Sequence, residues 1–449
     1  NHAEDRFVLV NSEFVGLYQA IAPQLTTVEK TLLLTDLPEK TAALPNLVGE
    51  YEQLLAAASA QYDFQDFDEN SVATTFYTTG TTGNPKGVYF THRQLVLHTI
   101  GVATIMGSID SVRLLGTNDV YMPITPMFHV HAWGLPYVAT MLGLKQVYPG
   151  RYDPEYLVEL WRKEKVTFSH CVPTILQMLL NAKAAQGADF GGWKIVIGGS
   201  ALNRSLYENA KARGIQLTAA YGMSETGPLV SCAHLNDELM AGSEDERTTY
   251  RIKAGVPGPL VEAAIVDGEG NFLPADGETQ GELVLRAPWL TEGYFNEPQK
   301  GAELWAGGWL HTGDVATLDS MGVIDIRDRI KDVIKTGGEW ISSLDLEDLI
   351  SRHAAVREVA VVGIADPQWG ERPFALLVVR EGQVIGAREL KEHLKPFVEL
   401  GHLSKWAIPS QIALVTEIPK TSVGKLDKKR IRLDITEWQA NNSTFLSTL

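Results

Sequence analysis

Tyr77-Thr-Thr-Gly-Thr-Thr-Gly-Asn-Pro-Lys-Gly87 is the stretch on which the reading of this chain turns. The apolar, β-prone run Val72-Ala-Thr-Thr-Phe-Tyr77 leads into it, so the pattern predicts a strand that ends in a loop. Gly80, Gly83 and Gly87 carry no Cβ, which lets the backbone bend tightly and bring its N–H groups to an anion. Thr78, Thr79, Thr81 and Thr82 add hydroxyls, and Lys86 adds a positive charge. That is an inventory for holding the β- and γ-phosphates of a nucleotide. It differs from the common phosphate loop, Gly-x-x-x-x-Gly-Lys-Ser/Thr. Counted from Gly80, Pro85 takes the place of the second glycine, and Gly87 that of the hydroxyl residue that grips magnesium. The rival reading, an ordinary Gly/Thr turn, accounts poorly for the unbroken run Thr78–Gly83 followed by Asn-Pro-Lys-Gly.

The 449 residues suffice for at least two domains and a large core, and a hydrophobic share of 45% excludes a disordered chain. A formal net charge of −16 repels phosphate backbones, so nucleic acid is not an expected partner and a nucleotide site must gather its own cations. The only cysteines, Cys171 and Cys232, are far apart, which supports neither a disulfide scaffold nor a cysteine-based zinc site and makes a reducing cytoplasm the default. No apolar run approaches the ~18 residues of a membrane span. The start, Asn-His-Ala-Glu-Asp-Arg6, is neither a signal peptide nor a Met start, so the chain reads as trimmed.

Short buried strands are expected at Phe7–Val10 and Thr31–Leu34, and a helix at Leu47–Ala60. After the loop come alternating elements. Strands are expected at Val120–Ile124, Gln146–Tyr148, Val166–Ser169, Lys194–Ile197 and Gln216–Ala219. Helices are expected at Gln94–Met106, Tyr137–Leu142, Pro154–Lys165, Ile175–Ala185 and Leu206–Arg213. Such alternation predicts an α/β fold of parallel layers with helices on both faces, and ligands then collect beyond the carboxyl ends of the strands. Between about Gly255 and Thr317 short strands and Gly/Pro turns predict a small β-subdomain, with Gly281–Arg286 its clearest strand. From Ile330 a compact α+β unit is expected. Its helices are Leu344–Ser351 and Ala387–Leu394, and its strands Glu358–Ile364, Phe374–Val379 and Gln411–Val415. The junction Asp328-Arg-Ile-Lys-Asp332 holds no flexible linker and suits a hinge, so we divide the chain into 1–329 and 330–449.

Several further motifs carry chemistry. Tyr221-Gly-Met-Ser-Glu-Thr226 follows a predicted strand. Glu225 is a carboxylate suited to Mg²⁺, Ser224 and Thr226 offer hydroxyls to phosphate, and Tyr221 offers a flat face to a purine. The competing reading is a helix start with Ser224 as cap. Gly198-Gly-Ser-Ala201 lets the backbone pass close to a ring. Asp314, in Trp309-Leu-His-Thr-Gly-Asp-Val315, can accept from the two vicinal hydroxyls of a ribose; a solvated turn aspartate is the alternative. Lys425 lies on the Gly-bearing loop Pro419-Lys-Thr-Ser-Val-Gly-Lys-Leu-Asp427, from which one ammonium can enter a site built by another domain. In Met127-Phe-His-Val-His-Ala-Trp-Gly134, Trp133 with Phe128 can gate an apolar tunnel or simply belong to an aromatic core, and His129 with His131 lacks a third metal ligand. No aspartate occurs between Phe128 and Gly134, so a zwitterionic substrate would leave its ammonium unpaired.

Taken together, the threonine/glycine loop, Tyr221–Thr226, Trp309–Val315, Asp328–Asp332, Lys335-Thr-Gly-Gly-Glu-Trp340 and Pro419–Asp427 resemble the signatures of the adenylate-forming superfamily. That superfamily includes acyl-CoA synthetases, luciferases and the adenylation domains of peptide synthetases. The segment around Trp133 most resembles bacterial medium- and long-chain fatty acyl-CoA synthetases. The resemblance implies ATP, Mg²⁺ and coenzyme A as cofactors and a fatty acid as substrate. It implies Lys425, Glu225, His129 and Lys86 as catalytic residues, with Glu225 on the metal. Thr78–Gly83 and Lys86 would hold phosphate; Gly199, Ser200, Ala220, Tyr221, Gly222, Met223, Ser224 and Thr226 would hold the nucleotide; Asp314 and Arg329 would hold its ribose. Lys331 matches the hinge, Gly337 and Gly338 the coenzyme A side, and Trp133 the acyl gate. The resemblance also implies a mobile C-terminal domain, a possible homodimer, possible peripheral membrane contact, and roughly a hundred further residues ahead of Asn1. An aryl or short-chain acid ligase, and a nucleotide-binding protein without catalysis, remain the alternatives.

Overall fold

Three parallel strands, Phe7–Asn11, Lys30–Leu34 and Leu47–Glu50, open the chain. Val10, Tyr18, Leu33 and Leu44 pack on one side of them, and the Tyr18 hydroxyl lies 2.8 Å from the Thr31 hydroxyl. Only part of the helix expected at Leu47–Ala60 forms, over Tyr51–Ala57. Gly49 is a poor helix former, and the Glu50 carboxylate accepts from Glu52 N and Gln53 N at 3.0 and 2.9 Å, so the helix begins there and the residues before it extend. This computed structural model describes residues 1–36, 43–78, 84–107, 113–421, 424–440 and 445–447. Residues 1–71 with 295–297 form one compact unit, and 72–294 with 298–449 the other.

The larger unit is built on a sheet in which Gln216–Gly222, Lys194–Ile197, Phe168–Cys171, Val120–Pro123 and Lys145–Gln146 run parallel in that spatial order. Leu229–Cys232 and Val256–Pro257 extend it antiparallel. Helices such as Pro154–Glu164 and Arg204–Ala212 return the chain between strands. Asp153 and Asn203 cap them, accepting from Tyr156 N and Leu206 N at 3.0 and 2.8 Å. The central strand lies two residues beyond its expected place at Val166–Ser169, because two polar residues prove buried. Ser169 Oγ accepts from Trp193 Nε1 at 3.1 Å, and His170 Nε2 meets the Tyr121 hydroxyl at 2.8 Å. A polar group with a partner tolerates the core.

Val72–Thr78 and Lys86–Thr91 make an antiparallel hairpin, the second strand of which the sequence pattern did not reveal. Four antiparallel strands, Glu262–Val266, Gly281–Arg286, Leu310–Leu318 and Ile324–Arg329, form the small β-subdomain. The expected junction at 329–330 lies just after them, ahead of the hairpin Ile334–Thr336/Glu339–Ile341. Beyond it Val356–Asp366, Gly370–Val379 and Gln411–Leu414 share a sheet flanked by helices Ser343–Ser351, Ala387–Glu399 and Lys428–Ala440. Among the described residues no helix is long and apolar enough to cross a membrane.

Trp193 lies fully buried, stacked on Trp161 at 5.6 Å and set against Phe190. Trp193→Ala should lower the unfolding free energy by about 3–5 kcal/mol, read from urea denaturation, because it opens a cavity and leaves Ser169 without its donor.

Candidate functional site

The parallel strands end at a cavity of about 1520 Å³ in the larger unit. Three elements aim side chains into it. The first is the end of Gln216–Gly222, which carries Tyr221 to the rim and then turns at Ser224–Thr226. The second is the β-subdomain. Asp314 and Arg329 face each other across adjacent strands in register, so the pairing itself sets their side chains side by side, with Arg329 Nε 3.5 Å from Asp314 Oδ1. The Tyr221 hydroxyl donates to Asp314 Oδ2 at 2.6 Å, joining the two elements. Burial raises the Asp314 carboxyl above its usual range, while Arg329 and the Tyr221 bond oppose that. Burial, then the Asp314 charge, pushes the Tyr221 hydroxyl far up.

The third element is the loop holding Lys425. Its backbone docks on the start of the helix Pro173–Asn181 through Thr174 Oγ1, which donates to Gly424 O at 2.6 Å. The loop closes on itself by Thr421 N to Lys425 O at 2.8 Å. Gly199, at φ +79°, is where the aliphatic stem of Lys425 passes: a Cβ there would lie 3.1 Å from Lys425 Cε and 3.1 Å from Val172 Cγ1. Desolvation, and next the Arg329 charge, lower the Lys425 ammonium to about 8, with Asp314 and Glu225 pulling the other way.

Glu225 is buried at the cavity wall, and its Oε1 accepts from the Tyr294 hydroxyl at 2.7 Å. Lys86 stands 4.4 Å over the same tyrosine ring. Lys86 is also the cross-strand partner of Thr78, so both face the cavity from the hairpin. Tyr294 thus links Lys86 and Glu225, and no motif in the sequence pointed to it. Among the described residues no cluster of three metal-ligating side chains exists. One carboxylate beside a cavity still suits magnesium, which takes most of its ligands from water and phosphate oxygens.

His129 lines the cavity, and burial followed by the Lys425 charge brings it down to about 4. After it the chain makes a left-handed turn: Val130, His131, Ala132 and Trp133 all have φ between +48° and +62°, and Gly134 has +70°. Such backbone costs about 1–2 kcal/mol per residue. His131 holds it, with Nε2 2.6 Å from Thr74 Oγ1 and its ring edge-on to Phe76 and Tyr137. That contact gives His131 a structural task rather than a metal. The turn leaves Trp133 only 3% exposed, tilted on His170 at 5.0 Å and facing Gly198, where a Cβ would lie 3.3 Å from its Cη2.

The structure therefore gathers Thr78, Lys86, His129, Trp133, Gly199, Ser200, Ala220–Glu225, Asp314, Arg329, Lys331 and Lys425 around one cavity. It does not bring Thr226 to it. That hydroxyl serves the backbone, bonding Met223 N, Met223 O and Pro228 O. Nor does it bring Gly337 and Gly338, which form the two-residue turn of a hairpin at φ +58° and +88°, against Trp369. Thr79, Gly80, Thr81, Thr82 and Gly83 lie outside the described residues.

The sequence pattern described as AMP-binding enzyme matches residues 1–295, and that of the AMP-binding enzyme C-terminal domain matches 345–425. A long-chain-fatty-acid–CoA ligase of Thermus thermophilus is 40% identical over 96% of this chain and 77% of its own length. A 3-methylmercaptopropionyl-CoA ligase of Ruegeria pomeroyi is 39% identical over 96% and 78%. In fold, the crystal structure of the anthranilate CoA ligase AuaEII with anthranoyl-AMP superposes with a TM-score of 0.83 at 22% identity, covering 98% of this chain and 80% of that one.

Because His129 is held down first by burial and then by Lys425, its ring should stay neutral until the pH falls to about 4. Lys425→Met removes one of the two causes, so the His129 titration, followed by NMR of the ring, should move upward toward 6.5. An unmoved curve would separate the two residues.

Proposed function

The chain belongs to the AMP-binding enzyme family, and on that premise we propose that it is an AMP-forming CoA ligase whose acid is a fatty acid. The observation that carries this reading is the entry of Lys425, from the small C-terminal part, into a cavity whose walls supply Asp314, Arg329 and Glu225. A nucleotide there would rest its ribose on Asp314 and Arg329 and its adenine near Tyr221 and Gly199. The acid's carboxylate would attack the α-phosphorus, the bond to pyrophosphate would break, and an acyl-adenylate would form. Lys86 and Lys425 would neutralise charge as it moves onto the leaving pyrophosphate. Magnesium would be held by Glu225 with phosphate and water and would add to that neutralisation. His129, neutral near pH 7, lies where it can orient the carboxylate without adding a charge.

The second half-reaction needs Lys425 out and a thiol in. Residues 330–449 would turn about Lys331 and present the Gly337–Gly338 turn, and the thiolate of coenzyme A would attack the acyl carbonyl and displace AMP. Trp133 would then gate the acyl chain, and the absence of an acidic residue in 128–134 favours an uncharged tail. A short acid is the second reading. Trp133, wedged between Gly198 and His170 at the cavity wall, is a large ring that would leave less room for an acyl chain, and a relative named for 3-methylmercaptopropionate is nearly as similar as the fatty-acid ligase.

Pyrophosphate release measured across acids from acetate to palmitate, with benzoate and 3-methylmercaptopropionate, tests the substrate reading. The expected optimum lies among the medium and long chains, and an optimum at the thioether acid would replace it. Lys425→Ala should lower adenylation about a hundredfold or more while acyl-adenylate supplied ready-made still yields thioester at close to the unaltered rate. Lys331→Pro, by fixing φ and removing an N–H, should slow thioester formation far more than adenylation. Equal loss in both steps would reject the hinge.

A further inference from the structure

A second polar chain crosses the same junction, along the wall of the same cavity. Asp328 is buried at the end of the strand Ile324–Arg329, next to Arg329. Its Oδ2 accepts from both the backbone N and the hydroxyl of Ser343, each at 2.6 Å, and its Oδ1 accepts from Arg329 N at 2.8 Å. Ser343 is wholly buried and opens the helix Ser343–Ser351, so the carboxylate also meets the positive end of that helix. Lys428 Nζ donates to the same Ser343 hydroxyl at 2.5 Å and lies 2.8 Å from Glu347 Oε1. The Lys428 and Glu347 side chains are only 10% and 12% exposed. Glu347 Oε1 accepts in turn from Val361 N at 2.8 Å. The Ser343 hydroxyl therefore accepts from Lys428 and donates to Asp328, joining ammonium and carboxylate through one buried oxygen.

Lys428 is three residues beyond Lys425 and starts the helix Lys428–Ala440 that ends the loop. Asp427, between them, ties its N–H to Pro419 O at 2.9 Å, so the loop and the root of that helix move as one piece. We propose that Asp328, Ser343 and Lys428 form a positioning latch that holds Lys425 in the cavity and sets the balance between the two half-reactions. The inference rests on the swing described under the proposed function. Asp328 belongs to the strand that carries Arg329, whereas Ser343, Glu347 and Lys428 belong to the C-terminal elements. A turn about Lys331 separates them, so Asp328 must surrender two of its three donors when Lys425 withdraws. Burial pushes the Asp328 and Glu347 carboxyls up, and Lys428 is the largest opposing influence on both, so the relay is held together by an ammonium shared between two carboxylates. Other contacts span the same seam, among them Thr174 Oγ1 to Gly424 O at 2.6 Å, Arg204 N to Asp348 Oδ1 at 3.0 Å, the Ser342 hydroxyl to Arg327 O, and Arg327 Nη1 to Asp345 Oδ1 at 3.6 Å. The Arg327–Asp345 ion pair, with side chains 28% and 46% exposed, is longer and more solvated than the relay through Lys428 and Glu347, so the latch carries the larger share of the bias.

Ser343→Ala removes the bridging hydroxyl but keeps the backbone donor, and Ser343→Thr keeps both. The full chain is assayed with octanoate for single-turnover pyrophosphate release, with octanoyl-adenylate and coenzyme A for thioester formation, and by hydrogen exchange at the amides of 424–427. Ser343→Ala should slow adenylation about tenfold, leave thioester formation unchanged or faster, and speed exchange of those amides about tenfold, while Ser343→Thr restores all three. Equal loss in both chemical steps, or unaltered exchange, overturns the latch. Asp328→Asn, which keeps the shape and removes the charge, should act in the same direction and serves if Ser343→Ala does not fold. If the unaltered chain releases no pyrophosphate from octanoate while exchange in Ser343→Ala still rises, the latch stands and the fatty-acid reading falls.

Discussion

The rest of the site depends on one ammonium being accepted into a closed space. Lys425 arrives on a loop from the last third of the chain, and solvent is replaced around it by Asp314, Glu225, Arg329 and the backbone of Gly199. Its drop to about 8 records that the exchange is poorly compensated: one guanidinium repels it, and two carboxylates attract it only in part. A lysine held this way has a standing affinity for additional negative charge. Triphosphate supplies that charge, so binding and loop docking favour each other.

Neutral histidine beside that lysine follows from the same constraint. His129 and Lys425 share a poorly solvated wall, and two cations there would leave too much charge unpaired; the weaker base gives up its proton. Around them the protein spends polar contacts on geometry. Tyr221 fixes Asp314, Tyr294 fixes Glu225, and Lys86 rests on the Tyr294 ring. Each pair joins side chains from different elements, so the cavity walls are braced against one another before any ligand arrives.

How far the sequence spoke can be seen residue by residue. Parallel layering was legible because strands such as Lys194–Ile197 are short apolar runs bounded by turns, and buried parallel strands have no other pattern. The strand at Phe168–Cys171 was expected to stop at Ser169 because His170 looks polar until Tyr121, 49 residues away in sequence, is found opposite it. Asp314 and Arg329 were legible as types, but their mutual contact depends on strand register, which sequence spacing alone does not determine. Tyr294 and Thr174 carried no local signal, since an isolated tyrosine or threonine acquires its role from what the fold sets beside it. The left-handed turn at Val130–Trp133 was hidden for a stronger reason. Every local preference of those residues argues against it, and only the Thr74–His131 contact and the surrounding core hold it.

That strained turn and the chain's acidity lead to a common point. A molecule of net charge −16 cannot attract a triphosphate by its overall field, so the attraction must be local and short in range. Among the cations at the cavity, Lys86 comes from the hairpin, Arg329 from the β-subdomain and Lys425 from the C-terminal loop. None of these elements makes a phosphate site alone, and the acidic surroundings weaken any partial set. A phosphate site of the kind proposed would therefore need these elements together. A contact that biases assembly, whether the Thr74–His131 bond beneath the turn or the buried carboxylate at Asp328, acts on chemistry without touching the reacting atoms. Contact with the reacting atoms is thus a poor guide to which residues govern the proposed site; the better guide is which contacts hold Lys86, Arg329 and Lys425 together.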